Sequence, residues 1–199
     1  MSLLYQFLFL IITYLIAAIP FGLVLGKTFF KTDIRKFGSQ NIGATNVTRV
    51  LGKKLGFFTL VLDGLKGAVM VVIARFGFYE SDHLHTLLVF VSVVAVLAHI
   101  YPVYLKFKGG KGVATSISVL FALDPLVGLA VGCFWLASFA LFRISAVSSL
   151  FAIFSSIFFS AFFDAPLSQI VFCCILFVLI LFRHKENISR LIAGKEKKF

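Results

Sequence analysis

Residues 112–142 read GVATSISVLFALDPLVGLAVGCFWLASFALF, and the fold turns on whether they make one helix or two. One helix of 31 residues would be too long for a simple crossing of the roughly 30 Å hydrocarbon layer. Asp124-Pro125 interrupts the apolar run. Proline has no N–H to continue a helix, and its fixed φ suits the first turn of a new one. The spacing predicts a short segment over 112–123 and a full one over 125–142. The short segment crosses a bilayer only if flanking residues join it or the bilayer thins.

The rest of the chain repeats the pattern. Of 199 residues, 60% are hydrophobic and 26 are Phe, and mean hydropathy is +1.05. Charged residues make up 14%, well under the usual soluble value of about 25%. Further apolar runs cover residues 3–26, 55–76, 84–104, 146–163 and 167–182. The first has no Lys or Arg ahead of it and reads as a retained helix rather than a secretory signal. The expectation is an all-α integral membrane protein of seven transmembrane helices, the fourth short, forming one domain over 1–199.

Charge tests that count. Seventeen of the 19 Lys and Arg fall in alternate loops: 27–54, 105–111, Arg143, and the tail from Arg183. The opposite loops carry Glu80, Asp82, Asp124 and Asp164 without a basic residue. By the positive-inside rule the N-terminus lies outside and the C-terminus in the cytoplasm. Merging the segments on either side of Asp124 would put Arg143 and the tail on the wrong face. The net charge of +11 therefore reflects topology, anionic headgroups and anionic substrates rather than nucleic acid, for which no motif exists. Cys133, Cys173 and Cys174 lie in apolar runs without metal or redox spacing and read as small buried side chains.

Asp63 and Lys66, three residues apart in LDGLKG, share a helix face at a depth where ionisable groups turn inward. They are a structural ion pair or part of a substrate site. His99 ends the third apolar run and reads as an interfacial hydrogen-bonding residue.

Three cytoplasmic stretches are polar. In GSQNIGATNVTRVLGKKLG, residues 38–56, Ser39 and Asn41 are suited to N-caps, and Ile42 to Leu51 has helical apolar spacing. The helix start favours an anion, and Arg49 suits a phosphate or carboxylate. In KFKGGKGVAT, residues 106–115, glycines allow N–H groups to wrap a phosphate while Lys108 and Lys111 add charge. It is not a Walker A loop, because Gly112 stands where Ser or Thr is required. In RHKENISRLIAGKE, residues 183–196, Arg183, Asn187, Arg190 and Gly194 fall on one face of a predicted helix, with His184 beside them.

These three stretches, in this order, resemble the signature regions of the bacterial acyl-phosphate:glycerol-3-phosphate acyltransferases, the PlsY family. The resemblance extends to LDGLKG, to RISAVSS and to the size and topology of nearly the whole chain. It implies transfer of a fatty acyl group from acyl phosphate to the 1-hydroxyl of glycerol 3-phosphate. The products are lysophosphatidic acid and phosphate, and the step begins phospholipid synthesis. It further implies a multi-pass protein of the bacterial cytoplasmic (inner) membrane with its site facing the cytosol. No cofactor or metal is implied, the expected partners beyond substrate are membrane lipids, and a monomer is expected.

By residue, the resemblance marks Ser39 and Arg49 as an essential pair, with Asn41, Gly43, Thr45 and Asn46 beside them. Gly109, Gly110, Lys111, Gly112 and Thr115 match a phosphate-binding loop, preceded by Lys108. His184, Asn187, Arg190, Gly194 and Glu196 match the third region, and Ser145 matches a loop serine. Gln40 departs from the glycine usual between the serine and asparagine.

The chemistry follows from the donor. Acyl phosphate is already activated, so the glycerol hydroxyl attacks the acyl carbonyl directly, without an acyl-enzyme. Lys108, Lys111 and the glycine loop are expected on one phosphate; Arg49, Ser39 and Asn41 on the other. His184 or the departing phosphate takes the proton. The rival from another class is a membrane anion transporter, suited by the short fourth segment and Asp63/Lys66. Against it, the polar clusters gather on one face, with no inverted repeat. A structural or regulatory membrane protein would not need three ordered polar motifs.

Overall fold

The computed structural model describes residues 3–199 and is all-helical among them. The helices are α1 (Leu3–Ala17), α2 (Phe21–Phe30), α3 (Ala44–Leu51), α4 (Lys53–Gly77), α5 (Leu84–Ile100), α6 (Val113–Leu123), α7 (Pro125–Phe142), α8 (Ser145–Phe162), α9 (Leu167–Arg183) and α10 (Lys185–Ile192). Two 3₁₀ turns, Ile34–Lys36 and Val103–Leu105, join them. The expected external placement of the N-terminus concerns Met1 and Ser2, which lie outside the described residues.

The break at Asp124-Pro125 is present. Asp124 caps α7 by accepting from the N–H groups of Leu126 (3.0 Å) and Val127 (3.2 Å), with Pro125 in the first turn. Among the described residues, five stretches are long and apolar enough to cross a membrane: Leu3–Phe30, Lys53–Gly77, Leu84–Leu105, Pro125–Phe142 and Ser145–Phe162. Leu167–Ile192 makes a sixth if its two helices, bent by 61° at His184, count as one. α6 is apolar but only 11 residues long.

The first apolar run is not one unbroken helix. α1 stops at Ala17 and α2 starts at Phe21, because Pro20 cannot donate to the ladder and disfavours helix at the residue before it. This break exposes the Ile19 carbonyl to a distant side chain. The cysteines also differ from expectation: Cys173 is buried beside Ser160 (Sγ to Oγ 3.3 Å), while Cys133 and Cys174 lie on exposed apolar helix faces.

The chain divides into two compact units, residues 1–119 and 120–199, with the boundary inside α6. In the first, α4 packs against α1, α2, α3 and α5. Leu23, Ile34, Ile42 and Val47 form a core there, with Leu51, Leu55 and Leu105 against it. Gly22 lets the 41–43 loop close on α2, since a Cβ there would meet the Ile42 carbonyl. In the second unit α7, α8 and α9 pack in sequence. Phe199 closes back on this unit: its N–H donates to the Arg143 carbonyl (2.8 Å), and its ring meets Phe139 edge-on with the centroids 5.5 Å apart.

Candidate functional site

In the first unit the opening polar stretch is held by one side chain. Asn46 is buried in the first turn of α3. Its Oδ1 accepts from the Ser39 N–H (2.8 Å), and its Nδ2 lies within bonding distance of the carbonyls of Ile34 (3.1 Å), Phe37 (3.2 Å) and Asn41 (2.9 Å). Its amide is thus committed to the loop. The expected substrate contact of Asn46 gives way to a positioning role, because an amide has two donor hydrogens and both serve backbone here.

The helix starts later than the sequence predicts. Its cap is Gly43, not Ser39 or Asn41. Asn41 instead turns the chain ahead of the helix, its Oδ1 accepting from the Gly43 N–H at 2.9 Å. Ser39, Thr45 and Arg49 are half-buried, with Arg49 in the last turn of α3. At the head of this loop the Arg35 guanidinium, bonded to Asp33, holds that carboxyl down at about 2. The bond therefore persists through neutral pH and weakens only as pH falls toward 2. Being exposed, it contributes little.

Gln40, the departure from the family pattern, has φ +58, in the left-handed region that favours glycine. The turn keeps the glycine-type backbone and the glutamine carries its strain. Gln40→Gly is expected to stabilise the protein by up to about 1 kcal/mol, the strain relief exceeding the added unfolded-state freedom. A thermal melt in detergent checks this, and a lower Tm would refute it.

The glycine stretch lies against the same core, since Leu105 packs with the Ile42 cluster. The first unit thus brings the first two polar stretches together. Tyr14 and Tyr104 hydroxyls donate to the carbonyls of Tyr101 (2.7 Å) and Leu15 (3.2 Å), anchoring the approach. Lys106 and Phe107 both take positive φ, +51 and +62, and turn the chain back. The N–H groups of Gly109 and Gly110 then donate to the carbonyls of Ile100 (3.0 Å) and His99 (3.1 Å).

That bonding corrects one detail. These two N–H groups serve the loop's own backbone, so the glycines provide close approach rather than donors. The first N–H groups of α6, which begins at Val113, and its positive dipole end follow directly. Lys108 is exposed, Lys111 half-buried and Gly112 buried with φ +89. Thr115 is buried and donates to the Asp63 carbonyl (2.8 Å), so its proton too is used in packing rather than on substrate.

In the second unit the third stretch is not one helix. α9 ends at Arg183 and α10 starts at Lys185, so Arg183 and Asn187 do not share a straight helical face, and Gly194 lies beyond α10 with φ +65. The tail instead folds over. Glu196 accepts from Asn187 Nδ2 (2.7 Å) at one oxygen and from Arg190 Nε (2.6 Å) at the other. Glu196 is therefore a carboxylate that orients an amide and a guanidinium, a poor choice for contacting a phosphate itself.

His184 sits at the elbow, buried, with Nδ1 2.8 Å from the Ile180 carbonyl. A carbonyl only accepts, so Nδ1 carries a proton, and in the neutral form of the ring Nε2 is the acceptor. Ser145 opens α8, half-buried, and its carbonyl accepts from Ser149 at 2.7 Å.

The sequence reading did not group His99 with Asp63. The structure puts His99 Nδ1 3.7 Å from Asp63 Oδ1, with Lys66 Nζ 2.9 Å from the same oxygen. The available signal was an imidazole and two opposite charges within otherwise apolar segments of one chain.

A family model described as glycerol-3-phosphate acyltransferase matches residues 7–194, which run through both units. A glycerol-3-phosphate acyltransferase of Macrococcus caseolyticus is 41% identical, over 96% of this chain and 95% of that one. One from Myxococcus xanthus is 44% identical over 94% and 95%. Among solved structures, PlsY, an integral membrane glycerol 3-phosphate acyltransferase, superposes in its glycerol 3-phosphate form with a TM-score of 0.91. The two are 39% identical over 98% of this chain and 96% of that one. Its lysophosphatidic acid form gives 0.88.

Proposed function

The chain belongs to the glycerol-3-phosphate acyltransferase family, and from that premise we propose that it joins a fatty acyl group from acyl phosphate to the 1-hydroxyl of glycerol 3-phosphate. It is an acyltransferase of phospholipid synthesis and an integral membrane protein. One observation carries the substrate pair. The relative that it matches over nearly its whole length is known both as a glycerol 3-phosphate form and as a lysophosphatidic acid form. These two molecules differ by one acyl group.

Lys108 and Lys111, beside the start of α6, attract one phosphate, while Gly109, Gly110 and Gly112 hold the loop compact. Arg49, with Ser39 and Asn41, takes the other phosphate, with Thr45 and Ser145 as further hydroxyl contacts. Asn187 and Arg190, fixed by Glu196, add an amide and a cation for substrate oxygens. Asn46 and Thr115 hold backbone. Bringing two mutually repelling anions together is the main electrostatic task, and it is met by positive groups fixed in advance.

The glycerol hydroxyl attacks the acyl carbonyl carbon. Its proton passes to His184 Nε2, the C–O bond to phosphate breaks, and phosphate leaves with the bonding pair. The tautomer set by the Ile180 carbonyl suits Nε2 to that task. The alternate-loop charge pattern supports seven crossings, with the short α6 as the fourth, the N-terminus outside and the C-terminus and site in the cytosol. The whole chain acts as one acyltransferase domain, as a monomer, in the bacterial cytoplasmic membrane.

Purified protein in detergent, given acyl phosphate and labelled glycerol 3-phosphate, should release lysophosphatidate without a sealed compartment. Acyl-CoA should not replace the donor. His184→Ala should lower turnover at saturating substrate by about 10²- to 10⁴-fold, the range of general-base catalysis. Near-normal turnover in that variant would remove His184 as base. A hydroxylamine-sensitive acyl group on Ser39 would replace direct transfer by a covalent route.

A further inference from the structure

Behind the glycine loop, the first unit holds three buried ionisable side chains that the transfer chemistry leaves unused. Asp63 and Lys66 stand on α4 with side chains 3% and 2% exposed, and His99 ends α5 at 4%. Lys66 Nζ donates to Asp63 Oδ1 (2.9 Å) and also to the Ile19 carbonyl (2.8 Å), in the break between α1 and α2. His99 Nδ1 faces Asp63 Oδ1 at 3.7 Å.

The other ends of this group lie on the glycine stretch. The carbonyls of His99 and Ile100 accept from Gly110 and Gly109. Gly110 is seated so closely over the imidazole that a Cβ added there would strike Nε2. The Asp63 carbonyl accepts the Thr115 hydroxyl at the start of α6. Gly64 and Gly67 of α4 let α6 in close: a Cβ on Gly64 would strike the Ser118 hydroxyl, and one on Gly67 would come 2.8 Å from Thr115 Cγ2.

We infer that Asp63, Lys66 and His99 are positioning residues for acyl transfer: a charged footing that sets where the glycine loop and the start of α6 stand. The inference rests on the reading of that loop as a phosphate site. A buried ion pair is a weak way to gain stability, since an apolar group of the same volume does as well or better. This group sets positions instead: Lys66 Nζ bonds the Ile19 carbonyl at the α1–α2 break, the His99 ring packs directly under Gly110, and the main-chain carbonyls of His99 and Asp63, placed with their side chains, accept from the Gly110 N–H and the Thr115 hydroxyl. His99 turns its ring to Asp63 on one side and to Gly110 on the other, so a change in the ion pair is passed to the loop. Loop placement matters because a reacting group displaced by about 1 Å costs about a hundredfold in rate.

Four variants in detergent test this: His99→Ala, His99→Asn, Gly110→Ala and Lys108→Ala. Monodisperse elution and a thermal melt establish folding, and KM is measured separately for acyl phosphate and glycerol 3-phosphate. Lys108→Ala should raise KM for one of them, which identifies the phosphate on the loop. His99→Ala should raise KM for that same substrate by about tenfold or more, with a smaller fall in kcat. His99→Asn, whose amide nitrogen stands about where Nδ1 does, should restore much of that loss. Gly110→Ala, which presses on the ring from the loop side and leaves Asp63 and Lys66 intact, should give the same signature, and an unchanged KM in this variant overturns the footing even if His99→Ala does not fold. If Lys108→Ala raises KM and the folded His99→Ala and Gly110→Ala proteins keep it, the footing is wrong and the phosphate reading stands. If Lys108→Ala leaves both KM values unchanged, the phosphate reading fails and the footing falls with it.

Discussion

Gly109→Ala should reduce acyl transfer by about a hundredfold or more while leaving the helices in place. Gly109 is buried and does not have a positive φ, so the need for glycine is one of space. An added Cβ would strike the His99 carbonyl oxygen and Pro102 Cδ, and would come 2.8 Å from the Ile100 carbonyl oxygen. Two of these are main-chain atoms at the end of a helix and cannot swing aside. The loop must lift, the Gly109 and Gly110 bonds to α5 break, and Lys108 and Lys111 move with them. Turnover of the purified variant gives the test, with Gly77→Ala as control. Gly77 ends α4, and a Cβ there meets nothing within 4 Å. Wild-type activity in Gly109→Ala would show that the loop needs no close contact with α5.

The parts of this arrangement that were readable in the sequence are those decided locally. Asp124 caps and Pro125 starts a helix through atoms within three residues of each other, so the break between α6 and α7 is visible in the letters. The parts that were not readable depend on side chains reaching other segments. Ser39 and Asn41 look like helix caps until Asn46 reaches back and draws residues 34–41 into a loop, which moves the helix start to Gly43. Arg183 and Asn187 have helical spacing, but the chain bends at His184 and Glu196 returns to hold Asn187 and Arg190. Tail residues beyond a helix carry no periodicity that predicts such a return. Gln40 shows the limit of motif matching in the other direction: a residue other than glycine can stand where the backbone takes the left-handed φ that favours glycine.

Asn46→Asp should be as damaging as Asn46→Ala, although Asp is nearly the same shape. The native Oδ1 accepts one N–H, a role a carboxylate keeps, but Nδ2 faces three carbonyl oxygens. A carboxylate there supplies no donor and sets negative charge against those carbonyls in a site 1% exposed. The expected loss is about 3–5 kcal/mol, the scale of an uncompensated buried charge. At roughly 2–4 °C per kcal/mol for a chain of this size, that lowers Tm by about 10 °C or somewhat more. Activity should fall with it, because the loop that carries Ser39 loses its ties from Nδ2 to the Ile34, Phe37 and Asn41 carbonyls. The pH dependence separates the two variants. Burial among carbonyls raises the pKa of the introduced carboxyl above its unfolded value, so the folded protein holds the proton more tightly than the unfolded chain does. Relative stability is then greatest below the unfolded pKa and declines as pH rises through the folded one. Compared with Asn46→Ala at each pH, Asn46→Asp should therefore recover at acid pH, where a protonated carboxyl regains one donor. A difference between the two that does not change with pH would mean that Asn46 holds the loop by shape rather than by its N–H groups.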